Sequence, residues 1–265
     1  MLLLSLTACL ADIRPDSIRS LTDETAAAER GRAMLESVAA AHGGVAAWNE
    51  RTSVTVELED VWQGLMAKVA NPWPTPNAHV RLEQRLHSFD SRATFLGEEE
   101  GLVWGITNGQ SWQVKDGKTS VGSHGGTEFM LPTMHYFTEI PYRLLEAPIA
   151  VDAGPETIDG VTYDRVFVTW EGLEPTSRFD QYVAYIDPKT GRLAKTFYTV
   201  REVARFVSGT MNYQDYVDID GAWVPMTMFV APKPADTLED NLHVVKVKSF
   251  TFDSADPKAF EVPAL

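Results

Sequence analysis

Six histidines, a Gly-Lys-Thr triplet, two His-Gly-Gly triplets and three consecutive glutamates are the residues here whose types suit chemistry. Their spacing argues against it. A zinc site needs ligands at short, fixed intervals, and His42, His79, His87, His124, His135 and His243 show none. His79 and His87 fall on one face of a strand, but eight extended residues span about 26 Å, too far to share an ion. His42-Gly43-Gly44 and His124-Gly125-Gly126 have the composition of an esterase oxyanion segment, yet no Gly-x-Ser-x-Gly elbow supplies a nucleophile. The first reads as a helix stop and the second as a flexible loop. Before Gly117-Lys118-Thr119, Trp112 stands where a phosphate loop needs glycine, and Asp116-Gly117 reads as a hairpin turn. Glu98-Glu99-Glu100, between Gly97 and Gly101, reads as a solvated loop with a weak cation site as the minor alternative. The chain therefore offers no catalytic group, metal ligand set or cofactor motif. A hydrolase assembled from scattered residues is the least favoured class, since folds do not fix function.

The remaining reactive group is a thiol. Cys9 is the only cysteine, so no internal disulfide forms, and it follows the apolar, small-residue run Leu4-Ser5-Leu6-Thr7-Ala8. That run has the shape of a secretory core and processing site. Leu6-Thr7-Ala8-Cys9 resembles the lipobox of bacterial lipoproteins, which implies cleavage before Cys9 and lipid attachment to it. On this reading residues 1–8 are a truncated signal-peptide remnant, and residues 9–21, without periodicity, are the lipidated cysteine and its tether. Leu10 stands where an inner-membrane retention signal would place Asp, so the resemblance favours the periplasmic side of the outer membrane. No later stretch approaches about 18 consecutive apolar residues, so the membrane is met through the anchor alone.

Composition narrows the partners. Thirty-seven acidic against 23 basic residues give a formal net charge of -14, a field that repels phosphate backbones and excludes nucleic acid as a partner. No composition shift marks a linker, so residues 22–265 are expected to form one domain, and a monomer.

Something must position the rest. Thr22-Asp23-Glu24-Thr25 opens a helix with Thr22 as N-cap, and Ala27, Gly31, Met34, Val38 and Ala41 give it an apolar stripe that Gly43-Gly44 ends. From Arg51 the period changes to two. Val54, Val56 and Leu58 alternate with polar neighbours, as do Val80, Leu82 and Leu86, and nine further stretches up to Val244–Phe252 read as strands. Asn108-Gly109, Asp116-Gly117, Asp159-Gly160 and Asp220-Gly221 are tight-turn signals between them. One segment interrupts the meander. Residues 131–146 are dense in Met, Tyr, Phe and Leu, and Pro141 should split them into two short helices lying on the sheet or over its open end.

Four features in this order resemble the LolA/LolB-like fold of periplasmic lipoprotein carriers and their uncharacterised lipoprotein relatives. They are Ala41-His42-Gly43-Gly44-Val45-Ala46-Ala47-Trp48, the first strands, Ile140-Pro141-Tyr142-Arg143-Leu144-Leu145, and Tyr185-Ile186-Asp187-Pro188-Lys189-Thr190-Gly191-Arg192-Leu193. The resemblance spans about residues 22–262. It implies a mainly β (α+β) protein: one large antiparallel sheet curled into an open, unclosed barrel, with an N-terminal helix and a central short-helix lid. It also implies an apolar cavity for a lipid, a lipoprotein acyl chain or another apolar small molecule. Trp62, Met66, Trp104, Phe129, Met130, Met134, Phe137 and Tyr142 are the candidate lining, each with ordinary core packing as the alternative. Trp73, among alternate prolines, either packs back on the sheet or reaches a partner. The expected function is thus a non-enzymatic envelope lipoprotein that binds an apolar ligand. The alternative is a structural or interaction lipoprotein with a packed barrel.

Overall fold

The computed structural model describes residues 10–65, 69–234 and 241–264. The helices are α1 (Asp16–Arg19), α2 (Glu24–Ala41) and α3 (Val45–Asn49). Six strands follow: β1 (Ser53–Trp62), β2 (Asn77–Arg85), β3 (Ser91–Phe95), β4 (Val103–Thr107), β5 (Gln110–Lys115) and β6 (Lys118–Val121). Helices α4 (Thr127–Thr138) and α5 (Ile140–Glu146) come next. The chain closes with β7 (Ile149–Asp152), β8 (Glu156–Ile158), β9 (Val161–Thr169), β10 (Tyr182–Ile186), β11 (Leu193–Thr199), β12 (Ser208–Ile219), β13 (Ala222–Ala231) and β14 (His243–Phe252).

The strands form one 14-stranded sheet in the order β6-β5-β4-β3-β2-β1-β14-β13-β12-β11-β10-β9-β7, with β8 added to β9. The path ends at β6 and β7 and is not closed into a barrel. The four Asn-Gly and Asp-Gly turns all hold both residues at positive φ, for example Asn108 at 51° and Gly109 at 75°. That conformation matches the twist of the strands they join. Three strands carry too little pattern to be read in advance. β6 and β7 are four residues long and β8 three, too short for alternation to show.

Contacts divide the chain into two compact units. The first holds α1, α2, β7 to β11 and the start of β12. Its core is Ile18, Ala27, Val151, Ala153, Tyr163, Phe167, Val183 and Tyr185. Helix α2 lies against β7 through Gly31, where a Cβ would come within 2.7 Å of the Val151 and Asp152 backbone. Arg30 reinforces the contact with an ion pair to Asp152 at 2.8 Å. The N-cap of α2 is Asp23 rather than Thr22: its Oδ1 accepts from the Ala26 N–H at 3.1 Å. The stretch read from sequence as a tether is docked here from Ala11 onward. Ile18 is buried in the core, Ile13 and Leu21 pack against it, and Ser17 donates to the Ala153 carbonyl. Cys9 lies outside the described residues.

The second unit holds α3, β1 to β6, α4, most of β13, and β14. Strand β1 is paired on both sides, Val56 opposite Leu82 of β2 and Phe250 of β14. Val54, Val56 and Leu58 share a buried face with Val80 and Leu82. Helix α4 lies over β3, β4 and β5. Gly105 is a required gap: the Trp112 ring fills the space where its Cβ would stand.

Candidate functional site

The helical insert is built from a sequence that should resist helix formation twice. Pro132 lies inside α4, and the helix continues through it because its apolar residues Met130, Leu131, Met134 and Phe137 are buried on the sheet. Burial of about 1.5–3 kcal/mol per large side chain outweighs one missing hydrogen bond. Pro141 sits in the first turn of α5, where the absent N–H has no helical partner to lose. The break falls at Glu139, as the position of Pro141 requires.

Glu139 is also where the insert is held. Its carboxylate is 2.9 Å from His135 Nε2 and 2.8 Å from Arg143 Nη2, and it accepts the His87 N–H at 3.3 Å. Arg143 reaches on to the Ser88 carbonyl at 3.1 Å and lies 4.9 Å from the Phe89 ring centre. Burial pushes the Glu139 carboxyl upward, but the adjacent His135 ring and the Arg143 guanidinium outweigh it. The group stays below the ordinary glutamate value, hence ionised and paired.

Beneath α5 is a small cavity. His42, Trp48, Phe137, Ile140, Tyr142, Tyr213, Tyr216, Trp223, Val224 and Phe250 are among its walls. Trp48 and Tyr142 stack at 4.3 Å, nearly parallel at 12°. The polar tips of the wall are mutually engaged. Tyr142 Oη donates to the His42 carbonyl at 3.2 Å, His42 Nε2 lies 3.3 Å from Tyr216 Oη, and burial pushes the Tyr142 phenol up to about 12. Gly43 lets this corner close, for a Cβ there would meet the Gly221 carbonyl at 2.5 Å. The cavity measures about 30 Å³. That holds about two water molecules. A small-molecule pocket has roughly ten times this space, ~300–1,000 Å³.

The expected lining residues fall in several places. Phe137 and Tyr142 line this cavity. Trp104 stacks on Trp73 at 5.7 Å and meets Phe95 edge-on at 5.1 Å, so it belongs to an aromatic cluster of the core. Met130 and Met134 are buried beneath α4, and Phe129 is half-buried on the same helix. Trp62 stacks on His243 at 4.1 Å. Met66 lies outside the described residues. Trp73 is packed, with 4% of its surface exposed. Of the other cavity walls, His42 was weighed from sequence only as part of a helix stop, and Tyr213, Tyr216 and Trp223 look there like unremarkable strand residues.

A second constellation was also missed. Asp60 is fully buried, 2.6 Å from His243 Nδ1, and accepts from Trp73 Nε1 at 2.8 Å and Trp62 Nε1 at 3.2 Å. Both carboxylate oxygens are engaged, one by the two indoles and the other by the imidazole, which makes this a structural knot. The other histidines are likewise engaged separately: His79 with Glu57, His87 with the Arg51 carbonyl, His124 with the Ser120 carbonyl.

No family model matches the sequence, and no curated protein matches it. Solved structures do. A Vibrio parahaemolyticus domain assigned provisionally to outer membrane lipoprotein sorting aligns with TM-score 0.56 at 14% identity, covering 88% of this chain and 97% of that one. A DUF1329 family protein from Desulfovibrio piger aligns at 0.54 and 12%, covering 90% and 97%. A LolA superfamily protein from Nitrosomonas europaea aligns at 0.51 and 10%, covering 87% and 96%. At such identities the likeness is one of fold.

Proposed function

We propose that this chain, which has the LolA-like fold, is a non-enzymatic lipoprotein of the bacterial envelope that binds a lipid or acyl chain beneath α4 and α5. The observation that carries the reading is the aromatic seam under α5, walled by Trp48, Phe137, Ile140, Tyr142, Trp223 and Phe250 around an unfilled space. Such walls are greasy enough to hold an acyl chain at about 25 cal/mol per Å² of apolar area removed from water. At about 30 Å³ the seam is too small for an acyl chain, so a ligand enters by displacing the insert from the sheet. Phe137 and Tyr142 are then the first ligand contacts, and Phe129, Met130 and Met134 line the space α4 would vacate. Cys9 carries the lipid anchor, and Leu10 after it favours the periplasmic face of the outer membrane.

The size of the cavity favours a second reading, an interaction lipoprotein with a packed interior. Native mass spectrometry of the purified protein, with titration by a fluorescent fatty acid, separates the two. A co-purified lipid and a saturable probe are expected, and Val224→Trp, which thickens one half-buried wall, should weaken the probe several-fold while leaving the melting temperature nearly unchanged. A protein that carries no lipid and binds no probe, or whose binding ignores every wall substitution, has a packed interior instead.

A further inference from the structure

The loop between β11 and β12 presents two apolar side chains to solvent, Val203 at 57% exposure and Phe206 at 70%. An eight-residue surface connection needs neither, and no fold requirement explains them. The same loop grips the start of the described chain. The Ala11 N–H donates to the Arg205 carbonyl at 2.8 Å. The Arg201 guanidinium donates to the carbonyls of both Ala11 and Arg205 at 2.5 Å. Asp180 Oδ1 steadies the loop by accepting the Arg201 N–H and the Thr199 hydroxyl, each at 2.8 Å. Arg14 locks the next turn of chain to Asp12 and Glu174.

Covalent geometry limits how far an anchor can be from this loop. Cys9 stands two residues before Ala11 in the sequence, a span of chain of at most about 8 Å. Phe206 directly follows the residue to which Ala11 is bonded.

We propose that the β11–β12 loop is a membrane-contact surface, with Phe206 and Val203 seated at the headgroup–acyl boundary of the bilayer that holds the anchor. This rests on the lipid attachment at Cys9 proposed above. A bilayer suits the patch because acyl chains on Cys9 would hold a membrane within a few residues of the loop, and because Val203 and Phe206, both exposed, are three residues apart in one surface connection. Arg205 is exposed beside Phe206, but Arg19 is paired with Asp12 and Asp16 and Glu202 is exposed in the same loop, so the contact is carried by the apolar side chains and not by charge. The chain as a whole, at a formal net charge of -14, does not match anionic headgroups, which confines the contact to this corner.

The test uses the full chain expressed with a functional secretion signal, reconstituted into vesicles of phosphatidylethanolamine and phosphatidylglycerol. Intact-mass analysis first reports whether Cys9 is acylated. An environment-sensitive fluorophore is then placed at Phe206→Cys and, for comparison, at Val161→Cys, an exposed position of β9 in the same unit. A blue shift and several-fold stronger quenching by spin-labelled lipid at 206 than at 161 are expected. Acylated Cys9 with equal quenching at the two positions overturns the loop proposal and leaves the anchor standing. Unmodified Cys9 overturns the anchor and this proposal together.

Discussion

Asp60 shows what one inward carboxylate demands of its surroundings. It accepts from two indoles and sits beside an imidazole. Asp60→Asn would put an amide donor against one of those donors. A loss of about 1–3 kcal/mol in urea denaturation is expected, the cost of an unsatisfied buried group; unchanged stability would mean the knot contributes nothing. The signal for Asp60 was present in the sequence, since it continues the Val54, Val56, Leu58 phase that points inward. What could not be read was the identity of its partners, because His243 is 183 residues away and only the β1–β14 register brings it opposite Trp62. Gly31 carries the converse lesson. Gly31→Ala gains helix propensity of about 1 kcal/mol, yet its Cβ would press on the β7 backbone. Overpacking of this kind costs about 1–3 kcal/mol, so a lowered melting temperature is expected, and a raised one would show that α2 can shift outward.

At the scale of elements, α4 and α5 depend on one ionised group. The Glu139 carboxyl is held below its ordinary value of 4.5, so its pairing stabilises the folded state fully above that pH and is lost as pH falls through the folded value. Acid titration followed by near-ultraviolet circular dichroism should show the insert loosening below about pH 4.5. Glu139→Gln should remove that step while lowering stability at neutral pH; persistence of the step in the variant would place its origin elsewhere. Pro132 is the second lever. Pro132→Ala restores an N–H inside α4 and should stabilise the helix, and if the insert is displaced on ligand entry it should also slow uptake of the fatty-acid probe. Faster uptake would contradict an entry route through α4. The position of the helix break was legible from Pro141 alone, whereas continuation through Pro132 was not, because burial against β3, β4 and β5 is a tertiary term.

At the scale of the molecule, the long alternating strands and the Asn-Gly and Asp-Gly turns made the antiparallel sheet legible. The docking of residues 11–21 was not. Ile13, Ile18 and Leu21 are spaced too irregularly to form a stripe, and their burial depends on strands that come more than a hundred residues later. A version of the protein beginning at Leu21 should therefore be less stable than one beginning at Leu10. Burial of Ile18 alone is worth about 1.5–3 kcal/mol, and equal melting temperatures would show the segment to be dispensable.

The pairing of β1 with β14 has a consequence for how this chain is made. Val54 meets Phe252, so the first strand to emerge acquires one of its two neighbours only from the last. Until then its hydrogen-bonding edge, with Val54, Val56 and Leu58 alongside, is a template for another unfinished copy. Contacts this distant in sequence make folding slow and leave nascent chains open to aggregation. Yield in the cell should depend more steeply on growth temperature and on holdase capacity than equilibrium stability would suggest, and a chain ending before His243 should accumulate as insoluble protein.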